Sequence, residues 1–198
     1  MKTMKSYAFM LFACTVFLTV SCVKDVDFNQ LDDAVLTPVF EADFIYSQFD
    51  IEEFIPDGLP PDTEFTIPVE RLRDTINYDL TSTDFAIENL DRVELTIEVR
   101  NTIERDFSIV FQFLTADGTA IGELYNVPVA AGMGAGTAPV VSFSNPNPIV
   151  LDNPTLVELA NARRVYTEIL IPAPPLNTNL RGVIDLRSKA TYYINYEL

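Results

Sequence analysis

The chain has 198 residues, enough for one ordinary domain with a leader, and its 48% hydrophobic content excludes an acidic disordered protein. Formal net charge is −16, and the few Lys and Arg are scattered, so there is no basic patch to displace counterions and nucleic-acid partners are excluded. The chain has no His and no Trp, which excludes Ser–His triads, Cys–His pairs and His-rich zinc sites and removes the best flat platform for stacking on a ligand.

Residues 1–22 read "MKTMKSYAFMLFACTVFLTVSC". Lys2 and Lys5 form a positive start, and Ala8 to Val20 is an apolar run too short to span a bilayer as a helix. This is the architecture of an export signal. Its end, Leu18-Thr19-Val20-Ser21-Cys22, resembles the lipobox of bacterial lipoproteins, with Thr19 where an aliphatic residue is usual. "LFAC", ending at Cys14, matches the local pattern better. Cleavage there would leave Val16–Val20 as an exposed apolar tail, so Cys22 is the preferred site. The resemblance implies removal of residues 1–21 and lipidation of Cys22. It also implies anchoring in a bacterial envelope, as an outer-membrane lipoprotein facing either the periplasm or the surface. Two or more acyl chains anchor stably where one binds only marginally. Ordinary export with a free Cys22 thiol, or a Cys14–Cys22 pair, are the competing readings.

Residues 22–34 form an acidic tether. Lys24–Asp25 and the acids after them resemble the charged tethers of Bacteroidota surface lipoproteins.

From residue 35 to 198 a single all-β domain is expected, because alternation outweighs helical periodicity. Strands are predicted at 44–51, 65–69 and 76–80. In "VELTIEVR", Val93, Leu95, Ile97 and Val99 share one face, opposite Glu94, Thr96, Glu98 and Arg100. A turn at Asn101–Glu104 follows, and "FSIVFQF" places Phe107, Ile109, Phe111 and Phe113 together. The two runs are predicted to pair as an antiparallel hairpin. Asp117–Gly118 signals a tight turn, and Pro128 places strand 121–129 at an edge or at its end. Further strands are predicted at 140–143, 165–171 and 182–186, and the C-terminal stretch alternates Ala190, Tyr192, Ile194, Tyr196 and Leu198. One short helix is expected, with Asn153 as cap, Pro154 at its first position and Leu156, Val157 and Leu159 as its apolar stripe.

Short strands with turns about every ten residues indicate an antiparallel β-sandwich. The segment "ELTIEVRNTIERDFSIVFQFLTADGTAIGEL" resembles the immunoglobulin-like sandwich of the late-embryogenesis-abundant type 2 family. The resemblance spans about the last two-thirds of the chain and implies no catalytic residues.

Four features are candidate sites. Asp50, Glu52, Glu53, Asp57, Asp62 and Glu64 cluster in one loop, but without the acid spacing of an EF-hand, and a solvated acidic loop is the favoured reading. Gly132, Gly134 and Gly136 form a Gly-rich stretch with neither a following Lys-Ser/Thr nor a helix to complete a phosphate cradle, so an interstrand loop is expected. Arg163–Arg164 would complement the end of the short helix. Tyr192, Tyr193 and Tyr196 would serve as a ligand platform or as strand packing, the latter favoured. A carboxylate pair acting on glycosides needs no His, but no such pair stands out.

The expectation is therefore a lipid-anchored envelope protein: a non-enzymatic structural or interaction module, without a cofactor or metal, facing a protein partner. A carbohydrate-binding accessory lipoprotein, a small carboxylate hydrolase and a fimbrial or secretion-complex subunit are the alternatives.

Overall fold

The computed structural model describes residues 35–78 and 88–197. Within them, Leu36–Tyr196 form one compact unit. The leader, Cys22 and the tether lie outside the described residues, as does the end of the strand expected at 76–80.

Among the described residues the unit is an all-β antiparallel sandwich with a short helix between two of its strands, as the alternating pattern predicts. Its strands are β1 (Val39–Asp50), β2 (Glu64–Phe65), β3 (Arg73–Asn77), β4 (Leu90–Asn101), β5 (Phe107–Leu114), β6 (Ala120–Val129), β7 (Val140–Phe143), β8 (Ile149–Asp152), β9 (Arg164–Leu170), β10 (Leu176–Asn177) and β11 (Val183–Ile194). One sheet runs β1-β11-β4, and both β7 and β8 pair with the far edge of β4. The other runs β3-β9-β5-β6, and the short strands β2 and β10 pair apart from both. Every pairing is antiparallel.

Period-two alternation determines what each strand buries. Val93, Leu95, Ile97 and Val99 of β4 face Phe107, Ile109, Phe111 and Phe113 of β5 in one core, and all eight are buried. Ile184, Leu186, Ala190 and Tyr192 of β11 add to it, with Val127 and Val129 of β6. The centre is aromatic. Phe44, Tyr78, Phe111, Phe113 and Tyr125 meet with ring centroids 4.8–6.4 Å apart, mostly edge to face.

The expected hairpin between the runs at 93–100 and 107–113 does not form. β4 pairs with β11, β7 and β8, whereas β5 pairs with β9 and β6, so the two strands lie in opposite sheets. The reason is the connection. Asn101 is fully buried at the end of β4. Its amide donates to the carbonyls of Arg105 (2.7 Å) and Ala130 (2.8 Å), and its Oδ1 accepts from the Ile103 N–H (2.8 Å). These bonds fold 101–105 into an arch that carries the chain across the core.

The Asp117–Gly118 turn does close a hairpin, between β5 and β6. Gly118 has φ 90°, and its N–H donates to Thr115 O at 3.1 Å. β6 is an edge strand, so Pro128 removes no ladder donor that a neighbour needs. The helix, α1 (Asn153–Glu158), joins β8 to β9 across the sheets. Its cap is Asp152 rather than Asn153: the Asp152 carboxylate accepts from the Thr155 N–H at 3.1 Å and from the Thr155 hydroxyl at 2.6 Å. Asn153 instead donates to Leu90 O at 3.3 Å, tying the helix to the start of β4. The runs expected at 182–186 and from Ala190 onward are one strand, β11, the central partner of β1 and β4.

Candidate functional site

The acidic loop does not assemble a cation site. Asp50 caps the 3-10 turn Ile51–Phe54 by accepting from the Glu52 N–H at 3.0 Å. Glu52 reaches Arg181 at 3.8 Å, and Asp62 exchanges hydrogen bonds with Asn179. Glu64 enters the β2–β10 ladder. Among the described residues no three acidic, His or Cys side chains are grouped to hold a metal.

The Gly-rich stretch is a built loop, and the amides of Gly132 and Gly134 are engaged. The Gly132 N–H donates to Ile103 O at 2.7 Å and the Gly134 N–H to Thr102 O at 2.9 Å. Amides aimed at carbonyls of the 101–105 arch cannot cradle an anion. Only glycine fits here: a Cβ on Gly132 or Gly182 would overlap Thr102.

Arg163 fills the helix-end role the sequence suggests, donating to the carbonyls of Ala160 (2.9 Å) and Ala162 (2.7 Å) after α1. Arg164 begins β9 and is exposed.

The tyrosines do not form a platform. Tyr192 is buried and stacked on Phe40 at 4.9 Å, and burial pushes its phenol well above the usual range. Tyr193 donates to Glu94 at 3.0 Å, while the Arg92 guanidinium covers its ring at 3.7 Å. The Tyr196 side chain lies outside the description. A shallow polar dish of about 420 Å³ beside Tyr193 is lined by Thr37, Asp91, Arg92 and Asn195.

A groove that the sequence did not reveal lies elsewhere. β9 pairs with β3 from Arg164 to Glu168, and the Ile169 N–H still donates to Leu72 O at 3.0 Å. There the ladder stops. The Leu72 N–H, which would meet the Ile169 carbonyl in a continued ladder, donates instead to Val69 O at 2.9 Å, closing the 3-10 turn Val69–Arg71. Beyond Leu170 the chain reads "IPAPP", and the Arg105 guanidinium holds it by donating to the carbonyls of Pro172 and Pro174. Between the turn and the prolines is an apolar groove of about 460 Å³, floored by Phe65, Ile67, Leu72 and Ile169. Val69 and Leu170 stand at its sides, 41% and 40% exposed.

A smaller cleft of about 130 Å³ adjoins it across Leu72, Glu168 and Ile169. Its polar groups are occupied locally. Arg71 lies over the Phe54 ring at 4.4 Å and donates to Glu53 O at 3.2 Å. Arg73 pairs with Glu168 at 3.3 Å, and Glu168 also accepts from the Tyr166 hydroxyl. The "IPAPP" run was the one signal in the sequence, since prolines cannot continue a ladder. Nothing local told that it would lie opposite the turn at Val69.

No family model and no curated protein matches the chain. Solved structures with some likeness are viral capsid assemblies. The T=1 particle of infectious bursal virus is 15% identical with TM-score 0.39, covering 80% of this chain and 31% of its own. The subviral particle of infectious bursal disease virus is 11% identical with TM-score 0.42, covering 80% and 33%. Turnip yellow mosaic virus is 10% identical with TM-score 0.28, covering 84% and 95%. The chain thus spans about a third of the bursal virus chains that it resembles. With all three scores below 0.5, the likeness carries nothing further for this protein.

Proposed function

We propose that this protein is a lipid-anchored bacterial envelope module, tethered through Cys22, that works by contacting a protein partner rather than by catalysis. The observation that supports the interaction role is the apolar groove at the interrupted edge of β9. Exposed, concave apolar surface beside unpaired backbone is what partner segments use. The leader ending in Ser21–Cys22 supports the anchor. Such a tether confines the sandwich near a membrane that it does not cross, which raises its effective concentration toward neighbours in the same envelope.

The test is a chemically cross-linked pull-down of the full chain from its envelope, with Cys22→Ala in parallel. The unaltered chain should partition with membranes and retain a specific partner, and Cys22→Ala should leave the membrane fraction or stall in processing. Unchanged fractionation of Cys22→Ala would overturn the anchor. Recovery of no specific partner would overturn the interaction role.

A further inference from the structure

The groove has three properties that together describe an occupant. Its backbone side is an incomplete ladder: in an antiparallel strand alternate residues bond to the same neighbour, so after the Ile169 N–H the next groups facing that side are the Ile169 carbonyl and the Ile171 amide. Among the described residues no strand continues the ladder to meet them, because the turn at Val69 has withdrawn the Leu72 N–H. Its floor is apolar, with Phe65, Ile67 and Leu72 placed to receive side chains from one face of an extended segment.

Its charge setting is the third property: Glu168, which lines it, is paired with Arg73, while Glu64 and Glu70 neighbour the lining residues Phe65 and Val69 in sequence. The nearby cations are engaged, Arg73 with Glu168 and Arg71 with Glu53 O and the Phe54 ring. The chain as a whole carries −16, which opposes a second copy of itself and favours a basic partner.

From these we infer that the groove takes an extended segment of a partner protein, alternating apolar and basic residues, as an added strand against Ile169–Ile171. This deepens the interaction reading above and rests on it. Main-chain hydrogen bonds to Ile169 and Ile171 supply affinity, and the apolar floor together with the chain's net charge of −16 selects the sequence. A small apolar molecule is the rival occupant, since the volume is within the range of ligand pockets.

The test is a fluorescence anisotropy titration of the full chain with a short, end-capped, labelled peptide alternating Lys and Val. The same peptide with Glu for Lys, and with alternate backbone amides N-methylated, are the comparisons. Binding of the Lys–Val peptide is expected to weaken with salt. It should fall about tenfold or more in either modified peptide. The same loss is expected in Leu170→Lys and Val69→Lys, both at exposed positions, with an unchanged thermal midpoint showing that each variant is folded, while Val157→Lys, on α1, leaves binding unchanged. Equal binding of the N-methylated peptide, or binding indifferent to Leu170→Lys, overturns the strand-addition assignment. So does saturable uptake of an apolar naphthalene dye that the peptide cannot displace. The two proposals fail separately. A cross-linked partner retained equally by Leu170→Lys keeps the interaction role and removes the groove from it. Absence of any partner removes the role, while the peptide titration still decides the groove.

Discussion

The backbone of Gly132 lies directly on that of Thr102: a Cβ added to Gly132 would sit 2.4 Å from the Thr102 carbonyl carbon and 2.7 Å from Asn101 O. Three chain segments meet at this point, the 101–105 arch, the Gly-rich loop and the start of β11, where the Thr102 hydroxyl accepts from the Val183 N–H at 2.8 Å. The arch carries the chain between sheets, so its integrity decides whether β4 and β5 face each other.

Gly132→Ala should therefore destabilise the protein by about 2–3 kcal/mol, the upper part of the range for overpacking. Chemical denaturation would measure it as a lower midpoint with an unchanged slope. A midpoint equal to that of the unaltered chain would show that the loop yields freely.

Asn101→Ala removes three hydrogen bonds at once and leaves the Ile103 N–H without its acceptor. The expected loss is about 3 kcal/mol, toward the upper end for orphaned buried groups. Asn101→Asp keeps the acceptor for Ile103 but loses both donated bonds, and should fare no better. Thermal unfolding of both variants decides the point.

Ser188 occupies a bulge in the β1–β11 ladder. Arg187 pairs with Tyr46 and Lys189 with Asp43, so Phe44 and Ile45 together oppose Ser188. The hydroxyl accepts from the Ile45 N–H at 2.7 Å and donates to the Ile45 carbonyl at 2.9 Å, satisfying the residue that the bulge leaves unpaired. Ser188→Ala should destabilise by about 1–3 kcal/mol. Hydrogen exchange at the Ile45 amide should quicken far more than at Val99, in the neighbouring strand.

Asp152 gives the helix its acid sensitivity. Hydrogen bonds from the Thr155 side chain and backbone hold its carboxyl below the usual range. A carboxylate whose folded pKa is depressed adds stability above its unfolded pKa of about 3.9, and that stability is lost as pH falls through the lower folded value. Asp152→Ala should be less stable than the parent at pH 7, and the gap should close as the pH is lowered below about 4. A gap that persisted at the acid end would show that the cap acts without its charge.

Periodicity was legible wherever one face of a strand is buried. Val93–Val99, Phe107–Phe113 and Ala190–Tyr192 announce their inward faces in the sequence, and the inward residues are buried as read. What alternation could not say was which strand pairs with which. A period of two defines the face of a strand and not its neighbour, so "VELTIEVR" and "FSIVFQF" read as a hairpin although Asn101 sends the second into the opposite sheet. The cap moved by one residue for a related reason: Asp152 and Asn153 both have capping side chains, and only the contact of Asn153 with Leu90 O leaves Asp152 to bond Thr155.

By itself, then, the sequence determined the class: an all-β acidic sandwich with a short helix at 153–158, lacking the His-dependent chemistries because the residues are missing. Only the tertiary structure decided the groove. Its walls come from Phe65–Leu72 and Glu168–Leu176, segments far apart in the chain, and it opens because one local bond, from the Leu72 N–H to Val69 O, takes the donor that would have closed the sheet. Local patterns record which side chains seek the interior. The competition between a turn and a ladder for a single amide is settled only when both are present in space.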